Sequence, residues 1–335
     1  MRAVRIHEFG GPEVLVPVEV PDPVPGPGEI LLRVEAAGVN RADALTRTGA
    51  YHRAGRPPLI PGLEGAGTVE AVGAGVSDVR IGQRVMATGA GLYAELAAVP
   101  AGRACVLPDG LAATEAAALP TAWFTAWYCL RRLARLGAGE TVVVHAAASG
   151  VGSAAVQIAA ELGARVIAVA GSAAKSAWAA EFGAHETIDT SACHGDEAVT
   201  EVLRLTGGRG ADVVLDAVGG DVFALSLKQA GYAGRVVALA NVALAASTVD
   251  TRDFYPKNAS ILGFQLTNLL EHGYDPREDL REIADRVAAG AYRVPVEAVF
   301  PLEQAGQAHQ RLERRDNRGK IVLKVSDHGG AGGVG

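Results

Sequence analysis

The stretch VVVHAAASGVGSAAVQIAAELGARVIAVAGSAAK, Val142 to Lys175, decides the fold. Val142-Val143-Val144 is a β-branched run suited to a strand buried on both faces. Small residues from Ala146 to Gly152 make a turn. Ser153 to Leu162 is rich in alanine and other helix formers and stops at Gly163. Arg165 to Val169 returns to a strand. Strand, turn, helix and strand at this spacing form one βαβ unit, which requires a parallel sheet and a right-handed crossover. Backbone N–H groups at the start of such a helix lack intrahelical partners and point outward, so the turn suits a phosphate.

The strict G-x-G-x-x-G pattern is not met. Ala147 and Ser149 stand where its first two glycines would be, and Gly150 and Gly152 remain. An ordinary packing turn is the alternative reading. The next strand bears on which nucleotide is held. A site selective for NAD places Asp or Glu roughly 20 residues beyond the turn, on the ribose 2′-OH. Here that position falls at Ala170, followed by Gly171-Ser172-Ala173-Ala174-Lys175. No carboxylate stands there, Ser172 can donate a hydrogen bond and Lys175 brings a positive charge. The segment therefore favours NADP(H), with a solvated helix lysine as the alternative for Lys175.

Working outward, the chain has 335 residues, of which 49% are hydrophobic and 20% charged, enough for two domains with cores of their own. The net charge of -6 comes without a basic block, so a nucleic-acid or membrane-surface role has no support. Cys105, Cys129 and Cys193 are widely spaced and form no CxxC pair. That argues against a disulfide framework or zinc cluster and for a reducing, cytoplasmic compartment. The N-terminus MRAVRIHEFGG lacks the apolar core of a signal peptide. Glu161 and Arg165 interrupt the long apolar region, so no membrane span is expected. The tail HGGAGGVG is expected to be disordered.

The first third is punctuated by glycine and proline, as in PDPVPGPGEILLRVEAAGVN and PGLEGAGTVEAVGAGVSDVRIGQRV. Short alternating strands between turns suggest a compact β-barrel. From about Ala122 strands and helices alternate, and ADVVLDAVG and GRVVALA are further strand candidates. The expected architecture is α/β, with a doubly wound nucleotide-binding domain over 123–261 inserted into a barrel domain of 1–122 plus 262–335. Helices near Leu280–Ala289 and Leu302–Glu313, a strand near Glu297–Phe300 and a last strand GKIVLKV close the chain.

Taken together, GVNRADALTRTGAY, PGLEGAGTVEAVGAGV, AALPTAWFTAWYCL, HAAASGVGSAAVQIA and HQRLERRDNRGKIVL resemble the zinc-independent quinone oxidoreductase (zeta-crystallin-like) branch of the medium-chain dehydrogenase/reductases. The resemblance runs over nearly the whole chain. It implies a GroES-like catalytic domain, a Rossmann domain with a cleft between them, NADPH use and a homodimer paired through the Rossmann domain. Where the zinc-dependent relatives place catalytic Cys and His, this sequence has Asn40 and Leu63, and no four-cysteine lobe occurs between Ala87 and Pro108. Zinc needs about four ligands, so no metal is expected, and reduction of a quinone or activated C=C fits better than oxidation of a simple alcohol.

By the same resemblance, Asn40 and Tyr51 border the nicotinamide and the substrate. Asn40 can give an amide N–H to a carbonyl oxygen and Tyr51 can give a proton. Asn40-Arg41-Ala42-Asp43 also reads as a helix N-cap with an acidic third residue, and Tyr51 also reads as a wall residue. Cofactor contacts are implied for Thr125, Ser149, Gly150, Val151, Gly152, Ser172, Lys175, Asn241, Phe264 and Leu266, with Arg318 and Lys320 approaching the phosphates. Two positions depart from the family pattern: Thr190 replaces a tyrosine, and Ala240 replaces a glycine. The expected function is an NADPH-dependent quinone or enone reductase. A trans-acting enoyl reductase on a biosynthetic thioester, or an NADPH-binding or non-redox protein that keeps the fold, are the alternatives.

Overall fold

The computed structural model describes residues 1–326, which divide into two units: Met1–Phe124 with the segment from Tyr274 onward, and Thr125–Gly273. The glycine-rich tail lies outside the described residues.

The first unit begins with β1 (Arg2–Arg5), β2 (Val16–Glu19) and β3 (Glu29–Val39), then α1 (Arg41–Thr48). The strands β4 (Glu64–Val72), β5 (Arg84–Thr88), β6 (Leu96–Pro100) and β7 (Ala104–Val106) follow, then α2 (Ala113–Ala116) and α3 (Phe124–Trp127), where the division falls. β3 is long enough to take β4 along one edge and β6 on the other near its start. Ile30, Leu32 and Val34 of β3 meet Val69, Val85 and Val99 in one apolar cluster. Two π-helical turns, Leu119–Trp123 and Tyr128–Leu133, flank α3.

The second unit is the doubly wound domain. Its strands are β8 (Thr141–Val144), β9 (Arg165–Ala170), β10 (Glu186–Asp189), β11 (Ala211–Asp216), β12 (Ala230–Ala238) and β13 (Ser260–Gly263). Its helices are α4 (Gly150–Glu161), α5 (Ala173–Ala180), α6 (Asp196–Leu205), α7 (Asp221–Gln229) and α8 (Leu266–Glu271). All neighbouring strands are parallel, in the order β10-β9-β8-β11-β12-β13. The order reverses between β8 and β11. Loops leaving the carboxyl ends on either side of such a switch point form a ligand crevice in folds of this kind. Every residue of β8 is buried, which explains why its sequence is a β-branched run rather than an alternation.

The chain then returns to the first unit through α9 (Arg277–Ala288), β14 (Val296–Pro301), α10 (Ala305–Glu313) and β15 (Lys320–Lys324). β15 lies antiparallel to the second half of β3 and parallel to β14, so the last two strands extend the N-terminal sheet. The return falls after Gly273 rather than at the expected 261/262, because β13 pairs with β12 and α8 follows it in the same unit. The first crossing falls at 124/125 instead of 122/123.

Candidate active site

In the doubly wound unit, the turn after β8 is held tightly from both sides. His145 N–H donates to Leu215 O and Ala147 N–H to Val169 O. Ala146 adopts a left-handed φ of 51°, and the Ser149 hydroxyl caps α4 by accepting from Gly152 N–H at 3.0 Å. A Cβ on Gly152 would press on the Ala146 carbonyl and stand 2.6 Å from Ala147 Cα. Only glycine lets helix and strand approach this closely. The N–H groups of Ala148, Gly150 and Val151 take no partner among the described residues. Together with the helix dipole, they form a donor set for an anion.

Of the other expected cofactor residues of this unit, Ser172, Lys175, Asn241, Phe264 and Leu266 follow the carboxyl ends of strands. Ser172 follows β9 and caps α5 by accepting from Lys175 N–H at 3.3 Å, leaving its own O–H able to donate. Lys175 is half-buried in the first turn of α5. Asn241 follows β12 and gives its amide to Ala245 O at 2.8 Å. Phe264 follows β13 and stacks on Tyr128 with centroids 5.4 Å apart, and Leu266 opens α8. Thr125 is buried near the beginning of the unit.

Two carboxylates here escaped the sequence reading. Asp216 is fully buried at the end of β11. It accepts from Val218 N–H (2.7 Å), Gly219 N–H (3.0 Å) and the Ser226 hydroxyl (3.0 Å). The turn it holds brings Gly219 against Asn241, where a Cβ would lie 2.7 Å from Asn241 Oδ1. An Asp followed by Ala-Val-Gly-Gly is the available signal, since aspartate bonds the backbone two residues on. Asp189 ends β10 in register with Ala170, and Ser191 engages it through both N–H and hydroxyl. A carboxylate therefore does stand beside the end of β9, supplied by the neighbouring strand rather than by β9 itself.

In the barrel unit, Asn40 and Tyr51 lie at opposite ends of α1. The eight residues of α1 itself, Arg41–Thr48, rise about 12 Å. Asn40 N–H donates to Asp43 Oδ2 at 2.8 Å, so the N-cap reading of this segment holds in the structure. Gly49 ends α1 with φ 76°, and Tyr51 follows, half-buried and ring to ring with His52 at 4.7 Å.

The Asn40 side chain meets two charges. Its Nδ2 donates to Glu64 Oε1 at 2.8 Å, and its Oδ1 accepts from Lys320 Nζ at 2.7 Å. Lys320 also bonds Glu64 Oε1 at 2.6 Å and Val39 O at 3.2 Å. Glu64 Oε2 accepts from Thr121 N–H at 2.7 Å. Glu64 is 0% and Lys320 3% exposed. Removing one member of such a pair costs about 3–5 kcal/mol, because the other charge stays buried and uncompensated.

These contacts correct one expectation. Lys320 does not present its ammonium to a cofactor phosphate: the side chain is buried and its three donors are all spoken for. Arg318, two residues earlier, is exposed and bonds no described residue.

A second buried network adjoins the first. Tyr93 OH lies 3.1 Å from His309 Nε2 and 3.4 Å from Asp43 Oδ2. Burial pushes the Asp43 carboxyl up to about 7. Burial also pushes His309 down to about 3, helped by the nearby cations Arg47 and Arg41. Both groups are thus held toward their neutral forms. Arg47 is buried as well and pairs with Glu313 of α10.

Comparison with known proteins adds to this picture. Residues 26–109 match the family described as Alcohol dehydrogenase GroES-like domain, and residues 150–289 the family described as Zinc-binding dehydrogenase. A Quinone oxidoreductase from Mus musculus is 34% identical over 334 residues, covering 96% of this chain and 97% of the relative. A 2-haloacrylate reductase from Burkholderia sp is 34% identical over 331 residues, covering 96% and 98%. The solved quinone oxidoreductase of Escherichia coli, complexed with NADPH, superposes with a TM-score of 0.89 at 31% identity, covering 97% of this chain and all of that one.

Proposed function

Because the chain belongs to the quinone oxidoreductase branch of the medium-chain dehydrogenase/reductase superfamily, we propose that it reduces a quinone or an α,β-unsaturated carbonyl with NADPH and without a metal. The observation that carries this reading is the turn at Ser149–Gly152, with its open N–H groups, set at the carboxyl edge of the sheet beside Ser172 and Lys175. NADPH, when bound, supplies the hydride. The N–H groups of Gly150 and Val151 hold its pyrophosphate, and Ser172 and Lys175 its 2′-phosphate. Thr125, Asn241, Phe264 and Leu266 orient the nicotinamide, and exposed Arg318 adds charge for a phosphate. Asn40 keeps a second Nδ2 hydrogen for a substrate oxygen that gains negative charge. Tyr51 gives a proton where carbon must receive one.

The donor set does not fit zinc. The Leu63 side chain has no donor atom, and an ammonium 2.6 Å from Glu64 already neutralises the acid next to it. A dication would compete with Lys320 for the same oxygen. The named chemistry of the Burkholderia relative, reduction of a haloacrylate, supports an activated C=C as substrate.

The test is NADPH oxidation against paired quinone, enone and enoyl-thioester substrates, before and after exhaustive chelation. Turnover of quinone or enone should be seen and should survive chelation. Preference for the thioester would point to a biosynthetic enoyl reductase. NADPH binding with no turnover across the panel would leave a binding protein. Activity lost together with one tightly held zinc per chain would overturn the metal-free assignment.

Two further expectations belong to this reading. The cysteines are free, two of them buried, which suits a reducing cytoplasmic compartment. β13 ends the six-stranded sheet, and its Ile261 is 40% exposed. An apolar strand edge left open invites pairing, and we place a homodimer there. Light scattering should give twice the chain mass of 34.3 kDa. A monomer at micromolar concentration would refute it.

A further inference from the structure

The reductase reading leaves a buried ion pair unused. Glu64 and Lys320 lie in the interior of the barrel unit and bond both each other and the same amide, that of Asn40. Burying an ion pair costs desolvation that its own attraction barely returns, so stability alone is a poor reason for it. The chemistry of the donors supplies a better one. A lysine ammonium only donates and an ionised carboxylate only accepts. Asn40 Oδ1 must therefore face Lys320, and Nδ2 must face Glu64. A flipped amide would set N–H groups against an ammonium and an oxygen against a carboxylate. The remaining contacts hold the pair itself still: Thr121 N–H takes the second oxygen of Glu64, and Val39 O takes the third donor of Lys320. One hydrogen on Asn40 Nδ2 is left over, on a residue that is only half-buried.

We propose that Glu64 and Lys320 are positioning residues that lock the Asn40 amide in a single orientation, so that its remaining N–H is always presented to the substrate oxygen. The inference rests on the reading of Asn40 as the donor to that oxygen. Charge is what makes the lock directional. A neutral amide or hydroxyl in either place could donate or accept, and would turn over together with Asn40.

The test is a cycle built on the neutral double variant Glu64→Gln/Lys320→Met, which avoids leaving one buried charge alone. Its kcat should fall about 10–10²-fold on quinone and enone alike, with the KM for NADPH within about two-fold. Lys320→Arg, which keeps a donor-only cation, should retain more activity than the double variant. In an Asn40→Ala background, itself about 10²–10³-fold slower, the double change should cost nothing further. A full additional loss there would show that the pair does not act through Asn40 and would overturn the proposal. An impaired Asn40→Ala beside an unimpaired double variant would sink this inference alone, whereas an unimpaired Asn40→Ala would sink the donor reading and this inference with it. Should the double variant not fold, NMR of the unaltered protein decides. One Asn40 side-chain amide proton should exchange slowly with solvent and the other fast, and equal exchange of the two would overturn the lock.

Discussion

Tyr51→Phe is expected to slow enone reduction by about 10²–10⁴-fold and to leave quinone reduction within a few-fold. The difference lies in where charge ends up. Hydride addition to a quinone gives a hydroquinone anion whose charge is delocalised and whose oxygen water can protonate. Hydride addition to an enone gives an enolate whose α-carbon must still receive a proton, and a positioned acid matters there. Asn40→Ala should impair both reactions, because either product places negative charge on an oxygen that the amide can bond. Asn40 precedes α1 and Tyr51 follows it, so the prediction assigns the two side chains to different atoms of the substrate. Steady-state rates on paired substrates, with a deuterium label on the transferred hydride, check this. If enone turnover by Tyr51→Phe is unchanged while hydride transfer is the slow step, the tyrosine is only a wall and water supplies the proton.

What the sequence made legible follows from the range of the interactions involved. The strands β8 and β9 and the helix α4 are specified by residues next to one another, and they lie within a few positions of where the pattern puts them. The N-cap at Asn40 is equally local, its acidic partner being three residues on. The burial of Lys320 is not legible locally, because its partner Glu64 is 256 positions away and nothing near either residue announces the pair. A charged residue in an otherwise apolar strand, as in LEGAGTVEAV, signals only that some partner exists. Asp189 is likewise hidden from a reading along the chain. The dinucleotide pattern runs along β9 itself, whereas the sheet supplies a carboxylate from the adjacent β10. The second domain crossing moved to Gly273 because a strand's membership is settled by its pairing, and β13 pairs with β12.

That neighbouring carboxylate sharpens the remaining prediction. Lys175→Ala should weaken NADPH by about 1–3 kcal/mol, a loss of roughly 5- to 150-fold in affinity, and leave NADH nearly untouched. The lower part of that range is the better expectation, since Lys175 is only half-buried and solvent screens its charge. For the same reason the difference between variant and parent should shrink as salt rises from 0.01 to about 1 M, over which the screening length falls roughly ten-fold. Asp189 opposes this attraction. With Ser191 holding its carboxylate, the end of β10 carries negative charge beside the end of β9, and Lys175 must outweigh it for a 2′-phosphate to be accepted. Asp189→Asn should therefore shift binding the other way, tightening NADPH relative to NADH, and the two substitutions together should partly cancel. Ser172→Ala is a less clean probe, because it also removes the cap of α5, worth about 1 kcal/mol of stability. Titration of both cofactors into each variant decides the matter. An equal loss of NADPH and NADH in Lys175→Ala would mean that the lysine supports the helix rather than the phosphate, and the cofactor preference would then need another source.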